Sequence, residues 1–169
     1  MKFTEAFLAE LDREADRSRR ALEQIPDGKT DWKPHDRSMP FGYLASMVAT
    51  IPSWIAMGIT RDELDLQPPS GPSFKMEPMH TSADYLRAHE KTVASARAAL
   101  EKATDEFLMT PWRLLVAEKV VWDTTRHEMI RDTINHLAHH RGQMTVYLRL
   151  MGAKVPALYG PSADDQRFT

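Results

Sequence analysis

Apolar residues recur at steps of three and four along four separate stretches of this 169-residue chain, and proline- and glycine-bearing segments interrupt them. That period matches the helical turn, so each stretch lays an apolar stripe along one face of a helix. Phe3, Phe7, Leu11, Ser18, Leu22 and Ile25 mark the first, which stops before the turn sequence Pro26-Asp27-Gly28. Phe41, Leu44, Val48, Ile51 and Ile55 mark the second, with Ser38 placed to cap it and Pro40 in its first turn. Pro52 falls inside this stripe and predicts a kink one turn earlier, or an early end. The third starts near Thr81 or Ser82 and reads Leu86, His89, Val93, Ala96, Leu100, Ala103 and Phe107. The fourth runs from about Thr125 to Met151, with Ile130, Ile134, Leu137, Met144 and Leu148 on its core face and Gly152 as its stop.

Between the helices, residues 61–80 carry Pro68, Pro69, Pro72 and Pro78 and read as a crossover loop. Leu64, Leu66, Phe74 and Met76 make it too apolar for a free linker. Trp112 to Trp122 lacks helical spacing and reads as a short hairpin or an irregular connection. The tail from Val155 to Pro161 is non-helical and is expected to pack back on the helices. Four long helices, long connections and one core predict an all-α four-helix bundle in a single domain, 1–169.

The chain has no cysteine, which removes disulfides, thiolate metal sites and cysteine nucleophiles. Its formal charge is −2, and charges alternate in sign through Glu10, Asp12, Arg13, Glu14, Asp16 and Arg17. A solvated helix face is the reading there, and no basic surface for nucleic acid is expected. The first twenty residues lack the apolar run of a secretory signal, and no stretch has the length of a membrane span. A cytoplasmic location with no membrane partner follows as the expectation.

The most informative stretch is Asn135-His136-Leu137-Ala138-His139-His140-Arg141-Gly142-Gln143. Residues four apart stack on one helix face, so His136 and His140 can converge on one ion, while His139 is rotated away. Neutral imidazole suits zinc, nickel or iron, and two such ligands make half of a tetrahedral site. Asp132, one turn earlier, could orient a histidine N–H. The bland alternative is a chance pairing, since seven histidines occur in the chain. His89 reads as a satisfied core histidine, and His35, His80 and His127 as surface residues. Arg141 points to the apolar face and would need a buried acceptor there. Gly142 suggests close helix approach. No nucleophilic triad or phosphate-cradling loop is legible.

At these residues the sequence resembles the DinB/YfiT-like family. Asn135 to Gln143 and Val146-Tyr147-Leu148-Arg149 resemble its last-helix signature, and Val155-Pro156 with Tyr159-Gly160-Pro161-Ser162-Ala163-Asp164 the ending of one subgroup. Trp32-Lys33-Pro34, Ser38-Met39 and Gly42-Tyr43-Leu44-Ala45 resemble the entry to its second helix. The resemblance implies a four-helix bundle with long crossovers. It implies a divalent metal held between helices two and four by three histidines, two of them matching His136 and His140. It implies a homodimer, to which exposed Leu64, Leu66 and Phe74 would contribute. Relatives include metal-dependent, thiol-using transferases and isomerases.

One position departs from the family: the frame Leu44-Ala45-Ser46-Met47-Val48-Ala49 puts Met47 where the third ligand stands. A thioether is a soft ligand, poorly matched to zinc or nickel, and Ser46 reaching in would be a poor substitute. The expected site is therefore degenerate, with weak zinc or nickel binding, or completed by His35, His89 or a partner. Three functions follow: a metal-dependent transferase, a metal-poor bundle that binds a small molecule, or a structural stress-response dimer.

Overall fold

The computed structural model describes residues 2–70 and 78–168. Among them the chain is predominantly helical, with α1 (Phe3–Leu22), α2 (Phe41–Thr50), α3 (Pro52–Thr60), α4 (Ser82–Lys102), α5 (Asp105–Leu108) and α6 (Arg126–Leu150). A small sheet holds β1 (Glu63–Asp65), β2 (Pro111–Val116) and β3 (Lys119–Thr125). No single described helix is long and apolar enough to cross a membrane.

The second stripe is two helices rather than one. Pro52 cannot donate to the carbonyl of Val48, so the helix breaks at Ile51 and α3 leaves at 48° to α2. The break falls immediately before the proline, not one turn earlier. Ser38 is not the cap; the helix starts after Pro40 with no side-chain cap. The third stripe also divides. Ala103 ends α4, and Thr104 accepts from the Phe107 N–H to start a separate single turn, so Phe107 does not belong to the long helix. At the front of α4, Thr81 and Asp84 form a reciprocal capping box.

The crossover segment contributes a strand, which the sequence reading did not anticipate. β1 pairs in parallel with β2, and β2 pairs antiparallel with β3, giving the order β1-β2-β3. The hairpin turn is Ala117-Glu118, both with positive φ. Asp65 holds this strained turn by accepting from the N–H groups of Ala117 (3.0 Å) and Glu118 (2.7 Å). Buried Arg126 ties the sheet to the helices, donating to the carbonyls of Gly58 (2.6 Å) and Arg61 (2.7 Å) and pairing with Asp62.

α4 and α6 both pack against α1, α2 and α3, and the core lies between them in two clusters. Around α2 it joins Ala21, Phe41, Leu44 and Val48 to Leu137, Met144 and Leu148 of α6. Around α3 it joins Ile55 to Leu100, Trp112, Met129 and Ile130. The sequence of contacts along α6 shows that α2–α3 runs antiparallel to it. Gly58 lets α3 approach α6, for a Cβ there would run into the thioether of Met129. Gly58→Ala is expected to destabilise the fold by about 1–3 kcal/mol in urea unfolding, the usual cost of overpacking.

The charged face of α1 needs correction at Glu14 and, in part, at Arg17, whose side chain is mostly covered. Glu14 is 1% exposed, not solvated, and forms a buried ion pair with Arg141, which is wholly buried. Arg141 also donates to the Glu14 carbonyl (3.0 Å) and Ser18 Oγ (3.1 Å). Tyr159 of the tail donates to Glu14 Oε2 (2.8 Å), while Arg17 and Arg20 reach the carbonyls of Leu158 and Ala157. The tail thus packs back as expected. Burial would push the Glu14 carboxyl up, but Arg141, Tyr159 and Arg17 together hold it below the ordinary carboxylate range.

Candidate functional site

His136 and His140 stand one above the other on α6, as their spacing requires, with ring centroids 4.6 Å apart. Their Nε2 atoms approach to 2.7 Å. His140 is 8% exposed; His136 is more open and meets the ring of Trp54 edge-on at 5.2 Å. Gln143 organises the pair. Its Oε1 accepts from His140 Nδ1 at 3.0 Å, and its amide nitrogen donates to His139 Nε2 at 3.0 Å. With Nδ1 carrying the proton, His140 keeps a lone pair on Nε2, facing His136. Burial pushes both imidazoles below their ordinary pKa, and the neighbouring histidines add to the shift. The pair is neutral at neutral pH, which is the form that binds a metal.

Those two nitrogens fit one edge of a divalent site. A tetrahedral ion with Zn–N near 2.0–2.1 Å would separate them by about 3.3 Å, a small parting from the hydrogen-bonded position. A third ligand is another matter. Among the described residues, no three His, Cys, Asp or Glu side chains group so as to hold an ion. His35 is exposed and its Nδ1 accepts from the Arg37 N–H. His89 is buried in the core as expected, but it is only half satisfied: Nε2 lies against the Ala15 carbonyl at 3.0 Å, while Nδ1 makes no full hydrogen bond. Ser46 donates back to the Gly42 carbonyl of its own helix. Met47 is half-buried on the cluster that includes Leu137 and Met144. The residues present therefore fit half of a metal site and not a complete catalytic one.

Asp132 does not hold a histidine as expected; that position is taken by Gln143. Instead Asp132 belongs to a feature the sequence reading missed, a cavity of about 420 Å³. Its origin is two periodicities meeting. Alternation along the strands turns Leu64, Trp112, Leu114 and Trp122 to one face of the sheet, with Leu64 and Trp122 both paired to Leu114. Helical spacing aligns Met129, Asp132, Thr133 and His136 on the facing stripe of α6, and Trp54 and Met57 come from α3. Trp112 and Trp122 meet edge to face at 6.1 Å. The lining is mostly apolar, and the cavity reaches the pair of imidazoles through His136. Tyr147 stands against Trp32 and Phe41 and does not line it.

Two further expectations change. Gly142 has open space where a Cβ would stand, so no close helix approach requires it among the described residues. Of the apolar crossover residues invoked for a dimer, Leu64 packs into the core beside the cavity, Leu66 is exposed, and Phe74 lies outside the described residues.

Comparison with known proteins places this geometry among relatives. The model of the DinB family matches residues 1–167. The Bacillus subtilis protein YrdA, described as uncharacterized, is 26% identical over 163 residues, covering 94% of this chain and 89% of YrdA. A DinB-like protein from Bacillus cereus superposes with a TM-score of 0.70 at 22% identity, covering 92% of this chain and 97% of the other. A Bacillus subtilis DinB-like protein, YjoA, gives 0.68 at 20% identity, covering 96% and 99%. At those identities the structural likeness concerns the fold.

Proposed function

The chain belongs to the DinB family, and from that premise we propose that it binds a small, largely apolar organic molecule between the sheet and α6, with His136 and His140 as a weak two-nitrogen metal site at the cavity edge. The four arms α1, α2–α3, α4 and α6 form the family's bundle around this site, and the sheet closes one end. The observation that carries the reading is the tryptophan-lined cavity of about 420 Å³ opening beside His136, a volume and lining typical of small-molecule sites. The absence of a third strong ligand among the described residues favours binding over metal chemistry.

Benzyl alcohol is a suitable neutral probe, followed by nuclear magnetic resonance of the indole N–H groups. The resonances of Trp54, Trp112 and Trp122 should shift saturably, while that of Trp32, which packs on Tyr147, stays in place. Leu114→Trp, which fills the cavity, should weaken the response at least about tenfold, as lost pocket volume leaves the ligand unburied. No saturable shift at any of the three would overturn the reading.

A second reading, a metal-dependent transferase that uses a small thiol, is favoured by the convergent Nε2 atoms and the tautomer set by Gln143. His136 and His140 would hold the zinc or nickel ion, which when bound supplies Lewis acidity and lowers the pKa of a water or thiol. Elemental analysis of untagged protein separates the two. One equivalent of zinc or nickel per chain supports the transferase, and a trace content supports the binding reading. The homodimer remains part of either proposal, checked by sedimentation against the 19.3 kDa of one chain.

A further inference from the structure

The walls of the cavity carry a charge preference. Trp54, Trp112 and Trp122 line it with electron-rich indole rings, and among the described residues neither lysine nor arginine lines the space. Of the polar groups on the wall, Thr133 donates to the Met129 carbonyl at 2.9 Å and His136 Nε2 is turned to His140, while the Trp112 indole N–H is without a hydrogen-bond partner but sealed from solvent. Asp132 is the solvent-accessible one: it belongs to the lining, is exposed, and makes no hydrogen bond or ion pair among the described residues. Indole faces and a free carboxylate attract the same thing, a positive charge with an apolar body.

We infer that the ligand of this cavity is an organic cation, an aryl- or alkyl-ammonium compound whose charged head sits at Asp132 and whose apolar body packs among the tryptophans. This rests on the binding reading above and specifies its chemistry. An anion of the same size would meet a carboxylate and three indole rings, with no lysine or arginine among the described residues to receive it. A neutral molecule would gain the apolar contact alone. The charge therefore decides among ligands of equal size.

Three probes of one shape test it: benzyltrimethylammonium, benzyl alcohol and phenylacetate, titrated by calorimetry into the natural protein and into Asp132→Asn. Asp132 is exposed on α6, so the amide variant keeps the fold. The cation should bind at least about tenfold tighter than the alcohol, and phenylacetate weakest. Asp132→Asn should lower affinity for the cation about tenfold, leave the alcohol unchanged and strengthen phenylacetate. A cation that binds no tighter than the alcohol, or that ignores Asp132→Asn, overturns the inference while leaving the binding reading in place. If none of the three binds, the binding reading falls and the inference with it.

Discussion

Met47→His is expected to tighten zinc and nickel binding by at least about a hundredfold, the gain of a third good ligand on a preset backbone. The geometry behind this begins at Trp54, which meets His136 edge-on. α2–α3 runs antiparallel to α6, so stepping back from Trp54 across the bend at Ile51 to Met47 moves in the direction of His140 and Gln143. Met47 indeed packs on the cluster containing Leu137 and Met144, the core residues on either side of His140. An imidazole there would face the nitrogens already brought together on α6. Calorimetric titration of the metals into the natural protein, Met47→His, and Met47→His with His136→Ala measures the effect. The double variant should lose most of the gain. Equal affinity in the natural protein and Met47→His would show that residue 47 points elsewhere.

Arg141→Ala is expected to cost about 3–5 kcal/mol in urea unfolding, because it strands the buried Glu14 carboxylate. Arg17 and Tyr159 still reach Glu14, and they set the lower end of that range. Replacing both partners, Glu14→Gln with Arg141→Met, should recover much of the loss, since no buried charge is then left unpaired. The pH dependence has a definite sign. The folded pKa of Glu14 lies below the ordinary value of 4.5, so the unfolded chain takes up the proton first. The contribution is complete above about pH 4.5 and is lost as pH falls through the lowered value. Arg141→Ala removes the main support for that lowering, so the Glu14 part of the acid limb should shrink and the stability of the variant should fall less steeply below about pH 4.5 than that of the natural protein.

Much of this molecule was legible from local spacing. The stripes of α1, α4 and α6, the stop at Gly152 and the stacking of His136 on His140 follow from a period of 3.6 residues acting within one element. What escaped depends on partners remote in sequence. Glu14 looks like its exposed neighbours until Arg141, 127 residues later, takes it out of water. β1 is three residues long in a proline-rich loop, too short to show alternation, and needs β2 to exist at all. The hairpin turn Ala117-Glu118 carries neither glycine nor asparagine, the usual signal for positive φ, because Asp65 stabilises it from another segment. The cavity gathers Trp54, Trp112 and Trp122 from three elements, and no spacing links them. Met47 as the odd ligand position came from the family resemblance, since nothing in its own helix marks it.

The charged knot of Glu14, Arg141 and Tyr159 has a bearing on how the polypeptide matures during translation. The residue at position 14 leaves the ribosome early, yet its neutralising partner and its phenol donor follow 127 and 145 residues later. Until then only Arg17, one turn along the same helix, can pair with that carboxyl, so burying the seam leaves its second oxygen without a partner and the helix stays partly hydrated while the rest is made. Contacts of such long sequence separation form late and slowly. The nascent chain thus stays open along this seam until residues 141 and 159 have both emerged, and closure of the last gap in the helical core is timed by synthesis rather than by the local propensity of any one segment.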